Sequence, residues 1–420
     1  MIEIFNKLKE YNFWEGEVKK TGFKRVIYLK KIKKYLNNKL IKVLVGQRRV
    51  GKSYLMRQII AELISLDFQV NPKNIFYLNK EIADFSSIDT HQKLLELIKT
   101  YKKTLKVKGK IYIFLDEVQE IRSWEKLVNS LSQDYKNEYE VFISGSNSRL
   151  LSSELASYIS GRYVSFEIFP FLFSEYIELL ELEKNKANFL EYLNTGGMPE
   201  LFNLKDLEVQ KHYIQDLKDS ILFKDIVQRH KIKNASLLED IFKFVSNNIG
   251  NLFSVNKVVN FLHSEKQKTN HETISNYLAY LKDTFLIHEV DRFDIRGKEI
   301  LSSTKKYYLN DLSFRNLLSS SFDYEPGNNL ENIIYIYFKS LGYKIFVGKV
   351  LNTEIDFVLE KDQKKKYVQV IFSLLDKKVR SREFGNLSLI KDNYEKIVIS
   401  LDDLSFGNRD GIQHQLAWEM

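Results

Sequence analysis

An α/β fold built on a parallel sheet is predicted by three stretches of this chain. Ile41-Lys-Val-Leu-Val45 is a short apolar run that enters Gly46-Gln-Arg-Arg-Val-Gly51-Lys52-Ser53, a G-x-x-x-x-G-K-S sequence. Helical spacing follows at once, with Leu55, Met56, Ile59 and Ile60 on one face. A second run, Ile111-Tyr-Ile-Phe-Leu115, ends in Asp116-Glu117, and a third, Glu140-Val-Phe-Ile-Ser144, ends in Gly145-Ser146-Asn147-Ser148. Continuous apolar runs of this length read as strands buried on both faces, and ligands of such sheets sit beyond the carboxyl ends of the strands.

The first stretch predicts a phosphate cradle. Gly46 and Gly51 let the backbone turn tightly and approach an oxyanion with no Cβ in the way, while the amides and the helix N-terminus supply positive potential. The loop Gly46, Gln47, Arg48, Arg49, Val50, Gly51, Lys52, Ser53, with Tyr54 after it, is therefore the candidate nucleotide-binding segment. Lys52 is placed to reach the β- and γ-phosphates, and Ser53 to ligate Mg²⁺. Asp116 is the candidate second holder of Mg²⁺, and Glu117 the candidate group that polarises a water. As an isolated strand end, Asp116-Glu117 would be an ordinary cap. After a phosphate loop it becomes the second half of a nucleotide-hydrolysing site.

Composition bounds the rest. At 420 residues, two or three domains are expected. No apolar run approaches the ~18 residues that span a bilayer, and the mixed charges of Met1–Glu10 do not form a signal peptide. Zero cysteines exclude disulfides, thiolate zinc sites and cysteine nucleophiles, and fit a soluble, cytoplasmic protein with no membrane partner. Residues 1–57 hold 16 Lys/Arg against 4 Asp/Glu, more than the net +9 of the whole chain. The densest part, Lys19 to Lys42, reads either as a solvated helix face or as a surface for phosphates or a partner.

In order, residues 1–40 read as mostly helical, Asn74–Asn79 as a strand and His91–Tyr101 as a helix. Arg149 follows the third apolar run and Arg162 precedes a further strand, Val164–Phe169; both are candidates for acting on phosphate charge, in a neighbouring subunit. Residues 171–250 read as helix-rich, broken at Gly196-Gly197-Met-Pro199. Ser254–His263 and Thr269–Phe285 form two helices at a turn, followed by strands Leu286–Val290 and Lys306–Leu309 around a hairpin; together these predict a winged helix. Its span, 254–310, has nine Lys/Arg and seven Asp/Glu, which leaves DNA and protein contact both open.

Several of these segments, taken in order, resemble a prokaryotic group of AAA-type ATPases. They are Gly46–Ser53, Leu115-Asp-Glu-Val-Gln119 with Trp124, Ser144–Ser148, Ser160-Gly-Arg-Tyr163 with Phe169–Tyr176, Thr195–Glu200 and Lys306–Asp311. The resemblance implies that ATP is the nucleotide, that Lys52 and Ser53 bind it with Mg²⁺, and that Asp116 and Glu117 act at the hydrolytic centre. It also implies that Asn147 is a sensor and Arg162 a catalytic arginine; homo-oligomers follow only if that arginine acts between subunits.

Residues 326–420 open with Pro326-Gly327 as a linker, then a helix Asn329–Gly342 carrying Glu331, then strands 343–347, 354–359 and 367–371. This resembles the restriction-endonuclease-like fold, with Asp356 at its first acidic position. Gln369 and Ile371 stand where the second acid and the lysine belong, so a degenerate nuclease-like domain is expected, with Lys366 or Lys344 as replacement cations. The predicted architecture is thus α/β: an AAA-type P-loop ATPase domain (1–170), a helical and winged-helix middle (171–325) and a small nuclease-like domain (326–420). The predicted function is Mg²⁺-dependent ATP hydrolysis coupled to DNA or protein binding. The alternatives are a nucleotide-binding scaffold switch with little hydrolysis, and an ATP-regulated nuclease.

Overall fold

The computed structural model describes residues 1–17, 20–65, 67–151, 161–318 and 326–420, which group into two compact units, Met1–Ile168 and Phe169–Met420. In the first, β1 (Ile41–Val45), β2 (Ile75–Asn79), β3 (Ile111–Asp116), β4 (Tyr139–Gly145) and β5 (Tyr163–Glu167) form one sheet in the order β2-β3-β4-β1-β5. All its pairings are parallel. Every residue of β1 and β3 is buried, as expected for strands covered on both faces. Phe114 and Phe142, opposite each other on β3 and β4, stack at 4.4 Å. Helices α1 (Ile2–Tyr11), α2 (Val26–Lys33), α3 (Lys52–Ile64), α4 (His91–Leu105) and α5 (Trp124–Gln133) complete the described elements that position the site.

The amino-terminal segment covers an edge. β2 ends the sheet, and an open strand edge is a hazard for unwanted pairing. Asn12 answers it with a two-way bond to Tyr77, Nδ2 to the carbonyl at 2.9 Å and Oδ1 from the amide at 2.8 Å. Trp14 adds an Nε1 bond to the carbonyl of Ile75 at 2.7 Å. In the basic segment, Lys24 and Lys33 pair with Glu62 at 2.7 and 2.5 Å, while Lys30 and Lys34 are exposed.

One lysine of that segment is wholly buried. Lys42 meets Glu140 at 2.6 Å with both side chains fully enclosed, and Glu140 also takes Lys110 and the amide of Asn37. Removing Lys42 takes from the buried Glu140 its fully enclosed cation and leaves it Lys110, which is partly exposed, and the Asn37 amide. Lys42→Met is expected to cost about 3 kcal/mol in urea unfolding, much of it recovered when Glu140→Leu is added.

The second unit begins with helices Phe173–Leu180, Lys186–Thr195, Leu207–Ser220, Ala235–Asn247, Val255–Ser264 and His271–Asp283. Eight strands follow: β6 (Ile287–Asp294), β7 (Glu299–Leu309), β8 (Lys344–Val350), β9 (Thr353–Lys361), β10 (Lys364–Ile371), β11 (Glu395–Ser400), β12 (Asn408–Arg409) and β13 (Ile412–Leu416). They form one sheet, β12-β13-β11-β10-β9-β8-β6-β7. The hairpin β6–β7, expected as the wing of a winged helix, joins this sheet, because β6 runs parallel to β8 with Arg292 opposite Val347. The sheet therefore crosses the expected boundary at 325. Pro326-Gly327 is also not a linker: it opens the helix Pro326–Ser340, where proline's fixed φ and missing N–H are tolerated.

Two sequence segments meet in this unit. Asp311 accepts the amide of Gly197 at 2.7 Å on one carboxylate oxygen and that of Ser313 at 2.9 Å on the other. Gly197 cannot be replaced, since a Cβ there would lie 2.1 Å from the carbonyl oxygen of Phe171. Burial pushes the Asp311 carboxyl up to about 6, against the pull of those hydrogen bonds. A carboxyl raised in the folded state contributes stability that is complete below its unfolded value near 4 and is lost as pH rises through about 6. Asp311→Asn is expected to flatten that part of the pH dependence. It should also cost about 1–3 kcal/mol, because an amide offers one acceptor atom to two backbone donors. Urea unfolding between pH 4 and 7 reads both effects.

Candidate nucleotide site

The phosphate loop leaves β1 at Gly46, which has φ +152°, and a Cβ there would lie 2.3 Å from the carbonyl oxygen of Ile168. Gly51, with φ +96°, caps α3 in a left-handed conformation with open space where its Cβ would be. The first glycine is thus required by a close backbone approach, the second by its dihedral. Lys52 is buried at the helix start, and its ammonium donates to the carbonyls of Gly46 and Gln47, both at 3.0 Å. It also lies 3.6 Å from Glu117 Oε1. Gln47 and Val50 are buried, and Val50 accepts Arg25 Nη1 at 3.2 Å. Arg48 reaches Glu81 at 3.4 Å, Arg49 is left-handed at φ +68°, and Tyr54 is half-exposed beneath the guanidinium of Arg57.

The strand order brings the acids to this loop. β4 lies between β1 and β3, with Gly145 opposite Val45 and Ile143 opposite Leu115, so three carboxyl ends emerge side by side. Asp116 is fully buried and accepts hydrogen bonds from Ser53, from Ser144 and from the hydroxyl of Tyr77 at 3.1 Å. Burial pushes its carboxyl up, while the bonds from Ser144 and Ser53 restrain the rise. Glu117 follows in a left-handed conformation, φ +53°, which swings its side chain off the strand line. Burial works against its charge, but Lys52 and a bond from Gln119 Nε2 at 2.5 Å bring it below the usual carboxylate range. Glu117 is therefore held in its charged form, with Gln119 on one oxygen and Lys52 near the other.

Ser144 ties the pair together. Its hydroxyl donates to Asp116 and accepts the amide of Glu117 at 3.1 Å. Neither this role nor that of Tyr77 is readable along the chain, because both arise from neighbouring strands. The signal available was weak: a small polar residue at the end of an otherwise apolar run.

Asn147 is buried just beyond β4, where its carbonyl accepts the amide of Leu150. Gly145 makes room, since a Cβ there would lie 2.0 Å from Leu150 Cδ1 and 2.5 Å from Gln119 Oε1. Gln119 Oε1 is buried with no hydrogen-bond partner, an acceptor left free beside Glu117. The oxygen-only set of Ser53 and Asp116 fits Mg²⁺, which takes few protein ligands when phosphates supply others. Arg162 is elsewhere. It is exposed at the foot of β5, where its carbonyl accepts the amide of Ile41, about 13 Å of strand from the loop. The side chain of Arg149 lies outside the described residues.

An AAA domain model matches residues 38–177, and a domain of unknown function matches residues 186–325. An uncharacterized protein of Haemophilus influenzae is 33% identical over 398 residues, covering 94% of this chain and 97% of that protein. An uncharacterized protein of Methanocaldococcus jannaschii is 31% identical over 392 residues, covering 89% and 84%. Among solved structures, a Walker-type ATPase of Pyrococcus abyssi is similar at 16% identity and TM-score 0.47, covering 70% of this chain and 95% of that one. The Aeropyrum pernix Orc1 protein, solved in complex with DNA, is similar at 12% identity and TM-score 0.34, covering 74% and 96%. No helix among the described residues is long and apolar enough to cross a membrane. Over nearly its whole length, this chain belongs to one family with the H. influenzae and M. jannaschii proteins, and its residues 38–177 are those of an AAA domain.

Proposed function

We propose that the chain is a Mg²⁺-dependent ATP hydrolase that couples its nucleotide state to a partner bound by the second unit. The observation that carries this is the convergence of Lys52, Ser53, Asp116 and Glu117 at one sheet edge, with Glu117 charged and aimed by Gln119. Lys52 now satisfies its ammonium on two loop carbonyls and Glu117; an entering β,γ-phosphate offers stronger acceptors for the same donors. Mg²⁺ held through Ser53 and Asp116 would neutralise charge on the phosphates. Glu117 then polarises a water, with the free Gln119 Oε1 as its second acceptor. The water oxygen bonds to γ-phosphorus as the bridging oxygen leaves with ADP. Asn147, at the end of the central strand, is positioned to respond to the γ-phosphate.

The partner is better matched to protein than to a phosphate backbone. In the helix pair and hairpin read as a winged helix, Lys282, Lys305 and the hydroxyl of Tyr307 all converge on Glu289, at 2.9, 2.8 and 2.9 Å. Cations spent this way are not offered to DNA. Phosphate release, measured without DNA, with duplex and with single strands at two salt concentrations, tests both halves of the proposal. DNA stimulation that weakens with salt would assign the partner to nucleic acid. ATP binding with no phosphate release above background would favour the scaffold-switch reading.

A further inference from the structure

Lys306, in β7, is a buried lysine in an acidic nest. An ammonium out of water needs acceptors for three N–H donors. Its Nζ lies 2.8 Å from Glu331 Oε1, 2.7 Å from Glu354 Oε1 and 3.7 Å from Asp356 Oδ1. Glu331 comes from the helix Pro326–Ser340, while Glu354 and Asp356 stand two residues apart on β9. Tyr308 lies two residues beyond Lys306 and donates its hydroxyl to the same Glu331 oxygen at 2.5 Å. Asp356 uses its other oxygen to accept the amide of Val370 at 2.7 Å.

A further polar group belongs to the nest. In the β9–β10 register Tyr367 faces Val358 and Val368 faces Phe357, so the next pair sets Gln369 across from Asp356, on the same face of the sheet. Gln369 is 7% exposed, and its Oε1 is buried with no hydrogen-bond partner. Three carboxylates and an amide carbonyl are the hard oxygen donors that a divalent cation takes. Yet no group of three or more His, Cys, Asp or Glu among the described residues is arranged to hold a metal ion. The ammonium already stands among the oxygens. Burial opposes its charge, but Glu331, Asp356 and Glu354 hold it protonated above lysine's usual range. The cations expected from the sequence are engaged elsewhere: Lys366 pairs with Glu395 at 2.8 Å and Lys344 lies over the ring of Phe346 at 4.7 Å.

We propose that this is a divalent-cation site filled by the chain's own ammonium. Lys306 takes the position of the metal, so the second unit binds no divalent ion there and performs no metal-dependent phosphodiester cleavage. A tethered cation is always at high effective concentration, and here it joins β7, β9 and the helix in one ionic knot. The inference does not rest on the ATPase reading, since it concerns residues of the second unit alone.

The test uses the full-length protein without nucleotide, titrated with Mn²⁺ and Mg²⁺ by calorimetry and thermal melting. The wild type is expected to show no heat or melting shift that Asp356→Asn alters. Lys306→Ala is expected to melt lower than wild type and to gain Mn²⁺ binding, with melting raised by about 5 °C or more at 100 times the Kd. The gain should vanish in Lys306→Ala/Asp356→Asn. A folded Lys306→Ala protein that binds no Mn²⁺ overturns the proposal. So does wild-type Mn²⁺ binding that Asp356→Asn abolishes, or plasmid cleavage in Mn²⁺ lost in Asp356→Ala but kept in Lys52→Ala. These wild-type arms decide the matter even if Lys306→Ala does not fold.

Discussion

Lys52→Ala is expected to abolish ATP binding, whereas Glu117→Gln is expected to bind ATP normally and to lose turnover by about 10³-fold. The two residues are only 3.6 Å apart, so proximity alone would predict similar phenotypes. Their chemistry separates them. Lys52 is the buried cation of the loop, and without it the phosphates meet amides and a helix end but no full positive charge. Glu117 carries a charge that repels phosphate, so neutralising it should not weaken binding, while the water loses the carboxylate that polarises it. Titration of a fluorescent ATP analogue, paired with phosphate release, reads both quantities on the same preparations. Loss of binding in a folded Glu117→Gln protein would refute the role given to Glu117.

Arg162→Ala should leave ATP binding intact and reduce turnover by about 10³-fold, the range reported for arginines that stabilise phosphoryl-transfer charge. Arg162 is exposed at the amino edge of the sheet, and the phosphate loop leaves from the carboxyl edge, so it cannot serve the site of its own chain. A role for it at a γ-phosphate is therefore expected to need a second copy of the chain. Mixing Lys52→Ala with Arg162→Ala protein therefore should restore part of the activity, because one intact site forms where the two subunits meet. No recovery in oligomers shown to be mixed, or turnover per chain independent of concentration in a monomer, would remove Arg162 from the mechanism.

The nucleotide site was legible in the sequence to the extent that it is continuous there. Gly46–Ser53 and Asp116-Glu117 announce themselves because a strand, a turn and a helix start are consecutive residues under local rules. Ser144 and Tyr77 were not assigned because their partners are supplied by sheet order, which places β4 between β1 and β3. The same reason explains Lys306. Lys344 and Lys366 lie on β8 and β10, next to the degenerate positions, whereas the cation arrives from a strand some 50 residues earlier than Asp356. The hairpin is legible as two strands, but nothing in Leu286–Leu309 says what will pair with its outer edge.

The shared sheet has a consequence for where this chain can be divided. The stretch 186–325 that matches a domain of unknown function ends between an ammonium and its carboxylates: Lys306 lies before the break, and Glu331, Glu354 and Asp356 lie after it. A cut at that point would leave one piece with a buried lysine without acids and the other with buried acids without a lysine. Each of β6 and β8 would also lose the neighbour that completes its backbone pairing. What looks like a join between modules is crossed by an ion cluster and a strand pairing, so the two halves of the second unit are expected to depend on each other for folding.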